Sequence, residues 1–398
     1  MGVGSSLSFA RAFVAAIVAS AFIAGCGSLP RTSITDAITG PRAAFELTYV
    51  GQQVLPHGYP FANTIVGGLS GIDYDASTGR FWVISDDRSE FNPARFYEIA
   101  LDVSKFNKSA NPGHDGVTVI ATQTLKRLDG TTFPDYRTAP ALSADPESIR
   151  IHAPSGRLIW SSEGERNVRT GQPPALAQPH VWEMERDGRM LRPFVIPDKF
   201  RITAANRGIR RNLGFEGMTF TPDHSTLWVA AENALLQDGP MTSMTESSPT
   251  RVIAFDYASG QPKAEYVIDV SPIPAATPVT NGASDNGISE ILAIDDHRLL
   301  MIERAFVQGI GSFIKLFVVD LSDATDVSRI DALAGQQYRP AAKRLLLDLA
   351  TLGIRLDNLE GMTWGPRLPN GHRSLVMVSD DNFNARQVQQ FLLFDVGD

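Results

Sequence analysis

Two short words in this sequence set a carboxylate beside a glycine ahead of a strand-forming run: "GFEGMTF" at 214–220 and "NLEGMTWG" at 358–365. Three further segments share their outline: "GLSGIDYDASTGRFWVISDDR" (68–88), "DPESIRIHAPSGRLIWSSEGE" (145–165) and "GISEILAIDDHRLLMIERAF" (287–306). Aligned, they place Ser70, Glu147, Glu216, Ser289 beside Glu290, and Glu360 at the start of a first apolar stretch. At the end of a second stretch they place Asp86 beside Asp87, Glu163, Glu232, Glu303, and Asp380 beside Asp381. Converging carboxylates repel one another unless cations neutralise them or some stay protonated. Oxygen donors without cysteine point to a hard cation such as Ca²⁺. Glu147, Glu216 and Glu360 are then the expected catalytic carboxylates, and Asp86, Glu163, Glu232, Glu303 and Asp380 the expected metal ligands. The competing explanation is architectural, because strand-end carboxylates also accept backbone amides of neighbouring strands.

Basic residues lie close by. Arg88 and Arg304 directly follow two of the acidic strand ends, and "FRITAANRGIRRN" (200–212) holds Arg201, Arg207, Arg210 and Arg211. Guanidinium groups next to a carboxylate-held metal suit a phosphate, which they grip through paired hydrogen bonds. Arg88, Arg304, Arg210 and Arg211 are therefore expected to bind an anionic substrate. The histidines sort differently: His152, His224, His297 and His372 fall in or beside the first turn of each segment, while His57, His114 and His180 stand alone. No HExxH spacing occurs, and "GGLSG" (67–71) does not satisfy G-x-S-x-G, so zinc-protease and serine-hydrolase chemistry lack support.

The elements that must position these residues follow from the turns. "DASTG", "APSG", "TPDHS", "DDH" and "RLPNGH" are turn chemistry between apolar runs, so each segment is a β-hairpin. Two more strand candidates follow each hairpin except the last, which has only "QFLLFDV". An unpartnered strand pattern, "AFELTYVGQQVL" (44–55), waits near the N-terminus. Four strands per unit, recurring about every 70 residues, predict an all-β, closed β-propeller of antiparallel four-stranded blades. Five blades are expected, with six as the alternative count, and the N-terminal strand completes the last blade. Closure also removes exposed sheet edges. In such a meander the start of the first strand and the end of the second share one end of the blade. The innermost strand lines the axis, so the acidic positions should ring one mouth and the histidine-bearing turns the other. Irregular stretches at 128–144, 164–179, 201–213, 234–250, 271–286 and 305–312 are expected at the acidic end. The best helix signal is "AAKRLLLDLATLG" (341–353).

Composition narrows the partners. The chain has 398 residues, 43% hydrophobic and 20% charged, with a formal net charge of −8, which argues against nucleic acid as a partner. Arg11 precedes an apolar run too short for a confident membrane span, and the run ends in "IAGC" with Cys26, the only cysteine. This resembles the lipobox of bacterial lipoproteins. It implies a signal peptide over 1–25, a lipidated Cys26 heading a flexible tether over 26–43, and a folded domain over 44–398. Gly27 in place of Asp implies, by the same resemblance, an outer-membrane destination facing the periplasm.

The hairpin words "GLSGIDYD", "WVISDDR", "DPESIRI", "GFEGMTF", "NLEGMTW" and "VMVSDDNF" together resemble the phytase-like family of bacterial exported proteins, described as having esterase-like activity. The resemblance runs from about residue 60 to the C-terminus. It implies a propeller with acidic residues as its active centre and phosphoester hydrolysis as its reaction. Ser70 and Ser289 stand where other units have Glu, so not every unit supplies a carboxylate. Two other functions fit the same sequence: a metal-dependent lactonase or carboxylesterase, and a non-catalytic lipid-anchored module that binds a ligand or scaffolds an envelope complex.

Overall fold

Buried residues, polar ones among them, occupy consecutive positions along the inner strands, as in sheets covered on both faces. The computed structural model describes residues 45–397; the expected signal segment, Cys26 and the tether lie outside the described residues. Five four-stranded antiparallel sheets form the blades of a propeller. Blade 1 is Leu69–Asp75, Arg80–Ser85, Arg95–Leu101 and Val117–Thr124. Blade 2 is Pro146–His152, Arg157–Ser162, His180–Met184 and Met190–Pro193. Blade 3 is Phe215–Phe220, Thr226–Ala231, Ser248–Asp256 and Gln261–Val270, and blade 4 is Ser284–Ala293, Arg298–Val307, Gly311–Asp320 and Ala342–Asp348. Blade 5 takes Asn358–Arg367, Arg373–Asp380 and Gln389–Gly397 from the C-terminal end of the chain. Its outer strand is Glu46–Leu55, paired antiparallel with Gln389–Gly397, so the expected N-terminal closure is present.

The stretch 341–353 divides between two states: Ala342–Asp348 is a strand and only Leu349–Leu352 winds into a 3-10 turn, ended by Gly353 at φ 65. The expected irregular stretch at 305–312 is instead the tip of a long hairpin, because Arg298–Val307 and Gly311–Asp320 pair to their ends.

An apolar cluster fills each seam between neighbouring blades. Ile84 and Trp82 meet Ile149 and Trp160 between blades 1 and 2, and Ile159 meets Phe215 and Val229 between blades 2 and 3. Ala230 meets Ile288 and Met301 in the next seam, Leu300 meets Leu359 and Met377 in the fourth, and Leu69 meets Val378 and Phe391 in the fifth.

Two features of the axis place the site. The first is a β-bulge in every innermost strand, at the position of Ser70, Glu147, Glu216, Ser289 or Glu360. A bulge breaks the alternation of side chains and re-aims the extra residue. The glycine of Glu-Gly-Met-Thr belongs to this device. A Cβ on Gly217 would lie 2.6 Å from the backbone nitrogen of Ile291 in blade 4, so only glycine lets the inner strands converge there. Gly217→Ala is expected to cost roughly 2–3 kcal/mol through overpacking, read as a lowered denaturation midpoint at unchanged slope.

The second feature is Arg150, which is buried and closes the channel. Its guanidinium donates to the carbonyls of Ile72, Met218, Ile291 and Met362, one from each of the other four inner strands. Glu290 is its counter-ion at 2.5 Å and accepts the backbone N–H groups of Met218, Ile291 and Met362. The channel is thus blocked midway, and its two mouths are separate cavities.

Candidate functional site

At one mouth lies a cavity of about 990 Å³. Its floor is built by the five bulges: Glu147, Glu216 and Glu360 reach it from blades 2, 3 and 5. Blades 1 and 4 offer Ser70 and Ser289 at the same step, and Ser289 spends its hydroxyl on the carbonyl of Leu359. The ends of the second strands supply Asp86 and Asp380 to the wall, and Glu163 and Glu232 stand behind the lining, each with an oxygen within 4.8 Å of a floor carboxylate. Glu163 and Glu232 are buried. The close packing has a glycine behind it: a Cβ on Gly214 would meet the Cγ of Glu163 at 2.5 Å, and the Gly214 N–H donates to Glu163 Oε1 at 2.8 Å.

Glu303 is the exception. Register pairs it with Ile288, as Ser85 pairs with Leu69 and Ser379 with Leu359, so it stands one residue short of the ring. Successive strand residues point to opposite faces, and one step exchanges mouth for blade interior. Glu303 accepts from Lys343 Nζ and from the N–H of Ser271, away from the cavity. The ring position in blade 4 belongs to Arg304, which lies 3.0 Å from Glu232 Oε1 and 3.5 Å from Glu360 Oε1.

Among the expected anion-binding arginines, Arg88 and Arg304 line the cavity. Arg88 bonds Glu165 at 2.6 Å, lies 3.5 Å from Asp145 and stacks over Tyr136. The Nε–H of each is buried; that of Arg88 faces Asp145 Oδ1 at 3.5 Å, and that of Arg304 has no acceptor. Arg210 is committed to the carbonyls of Ala234 and Gly239, and Arg211 is exposed beside Glu165, so neither lines the cavity. Arg201 and Arg207 form surface pairs with Asp198 and Asp331. The second acids of the doubled pairs are engaged by backbone amides, and Asp87 also lines the cavity. Asp87 accepts the N–H groups of Glu90, Phe91 and Asn92 and pairs with Arg95, while Asp381 accepts those of Gly68 and Phe383.

Asp145 was not singled out by sequence, yet it lies in the cavity wall. Its carbonyl accepts the Glu163 N–H as Gly68 and Gly214 accept those of Asp86 and Glu232, so it occupies a step that is glycine in blades 1 and 3. The visible signal was an acidic residue opening "DPESIRI" at that step.

Charge dominates the cavity. Burial, reinforced by Glu216 and Asp145, pushes the Glu147 carboxyl well above the usual carboxylate range. Burial also raises Glu163, Glu216, Asp86 and Asp380, each further lifted by neighbouring acids. Glu232 is pushed by burial to about 8 in spite of Arg304, and Asp145 to about 6 in spite of Arg88. Two groups of acids bring one oxygen each within 4.8 Å of one another: Asp145, Glu147 and Glu163, and then Glu163, Glu216 and Glu232. Their donors are all oxygen and anionic when ionised, so the set fits a hard divalent cation, and Glu163 belongs to both groups. His152 and His224 lie together at the far end of the blades, stacked among Phe220 and Tyr257. His57 does reach the acidic side, 3.3 Å from Asp381.

No curated protein matches the sequence. Among solved structures, a periplasmic gluconolactonase of Pseudomonas aeruginosa, PpgL, aligns over 89% of this chain and 98% of its own, at 12% identity and TM-score 0.35. The gluconolactonase XC5397 of Xanthomonas campestris covers 89% and 90% at 12% identity and TM-score 0.33, and the Dos1 propeller 84% and 69% at 7% and 0.34. A match of family scale comes from sequence: residues 64–383, which hold blades 1 to 4, the two inner strands of blade 5 and every carboxylate of the mouth, fit the phytase-like model described as esterase-like activity of phytase, and the chain belongs to that family.

Proposed function

We propose that this hydrolase-type propeller cleaves phosphoesters at the acidic mouth with the help of a carboxylate-bound cation, Ca²⁺ by the hardness of its donors. The observation that carries this reading is the pair of carboxylate groups joined at Glu163, whose charge Arg88 and Arg304 balance only in part. Asp145, Glu147 and Glu163 would hold one cation, and Glu163, Glu216 and Glu232 could hold a second. Such a cation, when bound, supplies Lewis-acid polarisation of the ester. The chain's own groups do the rest. Arg88 and Arg304 line the mouth and set positive charge beside the oxygens of an anionic head. Glu216, Glu147 and Glu360, all raised by burial above the usual carboxylate range, can give a proton to the leaving oxygen or, once ionised, take one from attacking water. No nucleophilic serine is needed. The lipobox residues ending in Cys26 support export and lipid anchorage, with the outer membrane facing the periplasm as the proposed location.

The test is hydrolysis by the purified protein of phosphomonoesters, phosphodiesters, carboxylic esters and lactones, with calcium and with chelator. Calcium-dependent turnover of a phosphoester is expected. Turnover confined to carboxylic esters or lactones would transfer the reading to that chemistry, and none at all would leave a binding module.

Stability carries an independent signature. A carboxyl whose folded pKa is raised binds more protons folded than unfolded, so its stabilising effect is complete below the ordinary carboxylate range and is lost as pH rises through the raised value. With chelator, thermal stability should therefore fall from pH 5 to pH 8, through the range set by Asp145 at about 6 and Glu232 at about 8. Calcium at ~100 times its dissociation constant should restore about 2.7 kcal/mol. At 2–4 °C per kcal/mol this is a rise of roughly 5–10 °C. A pH-independent melting temperature unmoved by calcium would contradict it.

A further inference from the structure

The acidic cavity has an apolar lip. Phe91 is 56% exposed and Ile310 53%, and with Phe306 and Phe383 they line the same cavity as the carboxylates. These residues follow or end the second strands of blades 1, 4 and 5, so three equivalent loops carry them to one opening.

The lip is built. Phe91 and Phe383 stack at 4.4 Å between ring centroids with 20° between planes. The turn bearing Phe91 hangs on Asp87, which accepts three successive N–H groups. Phe383 has φ 50 and Asn382 φ 46, a left-handed backbone that a phenylalanine adopts only at a cost of about 1–3 kcal/mol. Asp380 and Asp381 hold that turn by accepting the N–H groups of Asn382 and Phe383. Strain at the half-buried Phe383 is maintained to hold its ring against the exposed Phe91 at the opening of the cavity. The charges around the opening are mixed, with Glu90, Asp285 and Asp357 against Arg355 and Arg386, so no basic ring awaits a polyanion.

We infer that the substrate carries a single compact anionic head and an aromatic or bulky apolar substituent, seated on the Phe91–Phe383 pair and faced by Phe306 and Ile310. This rests on the preceding assignment of the head to the acidic mouth. A polyphosphorylated polyol is the class it disfavours.

Calorimetric binding of non-hydrolysable probes to the calcium-loaded protein tests it. Phenylphosphonate should bind roughly ten-fold more tightly than methylphosphonate, from the apolar area a phenyl ring buries. Phe91→Ala should shrink that preference to about two-fold or less and leave methylphosphonate unchanged, since its ring alone is lost. Phe383→Gly, which also relieves the backbone, should do the same. Equal binding of the two phosphonates would overturn the lip and leave the phosphoester assignment standing. Benzoate preferred over acetate in a Phe91-dependent way, with neither phosphonate bound, would support the lip and overturn the phosphoester head. A phenyl preference surviving both variants, tighter binding of inositol hexakisphosphate than of phenylphosphonate, or no binding of any probe would overturn the inference.

Discussion

Glu163→Gln is expected to reduce calcium-dependent hydrolysis by roughly a thousandfold or more. The carboxylate belongs to both groups of converging oxygens found among the described residues, so its loss weakens both. Lewis-acid stabilisation is worth several kcal/mol, and each 1.36 kcal/mol is about a factor of ten in rate. The substitution is mild for the fold, because glutamine keeps an oxygen that can accept the Gly214 N–H. It also removes one of the repelling acids, so the chelated variant should be at least as stable as wild type at pH 8. Loss of activity with retained stability separates a reacting role from an architectural one. Wild-type rates in Glu163→Gln, measured with the substrate that wild type prefers, would move the centre elsewhere. Glu303→Gln should be harmless by comparison, since Glu303 faces Lys343 inside the blade.

Arg150→Met should cost roughly 3–5 kcal/mol. The substitution strips donors from four carbonyls at the axis and leaves Glu290 buried without its counter-ion. Breaking a buried pair on one side costs about that much because the remaining group must stay charged out of water or take up a proton. Glu290 is already pushed to about 7 by burial with Arg150 in place, so without it the carboxyl takes up a proton. The double variant Arg150→Met, Glu290→Gln should regain part of the loss, because glutamine is uncharged and its amide oxygen can still accept the Met218 N–H. Urea unfolding of the two variants checks this. A midpoint for Arg150→Met within about 1 kcal/mol of wild type would mean that the plug contributes little.

The propeller was legible in the sequence because turn chemistry and apolar runs recur five times, and the leftover strand patterns at the two chain ends complement each other. The floor carboxylates Glu147, Glu216 and Glu360 were legible for the same reason. What escaped was decided by single-residue register. Glu303 and Arg304 are adjacent in "MIERAF", and only the pairing of Ile288 with Glu303 shows which of them reaches the mouth. Asp145 escaped because its step is glycine in other blades and so was outside the acidic pattern. Arg150 looked like an ordinary strand residue, since its role depends on four carbonyls distant in sequence. Arg210 was misleading for the opposite reason: an arginine-rich loop suggests an anion, but backbone carbonyls take up its donors.

The central claim is that the acidic mouth binds a cation through carboxylates that must first release protons. Calorimetric titration of the chelator-treated protein with calcium, repeated in buffers of different ionisation enthalpy at pH 7, tests it most directly. The predicted result is saturable binding accompanied by net proton release, since burial and neighbouring acids raise Glu147, Glu163 and Glu216 above the usual carboxylate range and burial raises Glu232 to about 8. Glu163→Gln should abolish or severely weaken that binding. Absence of binding in the wild-type protein, or binding without proton release and unchanged by Glu163→Gln, would contradict it.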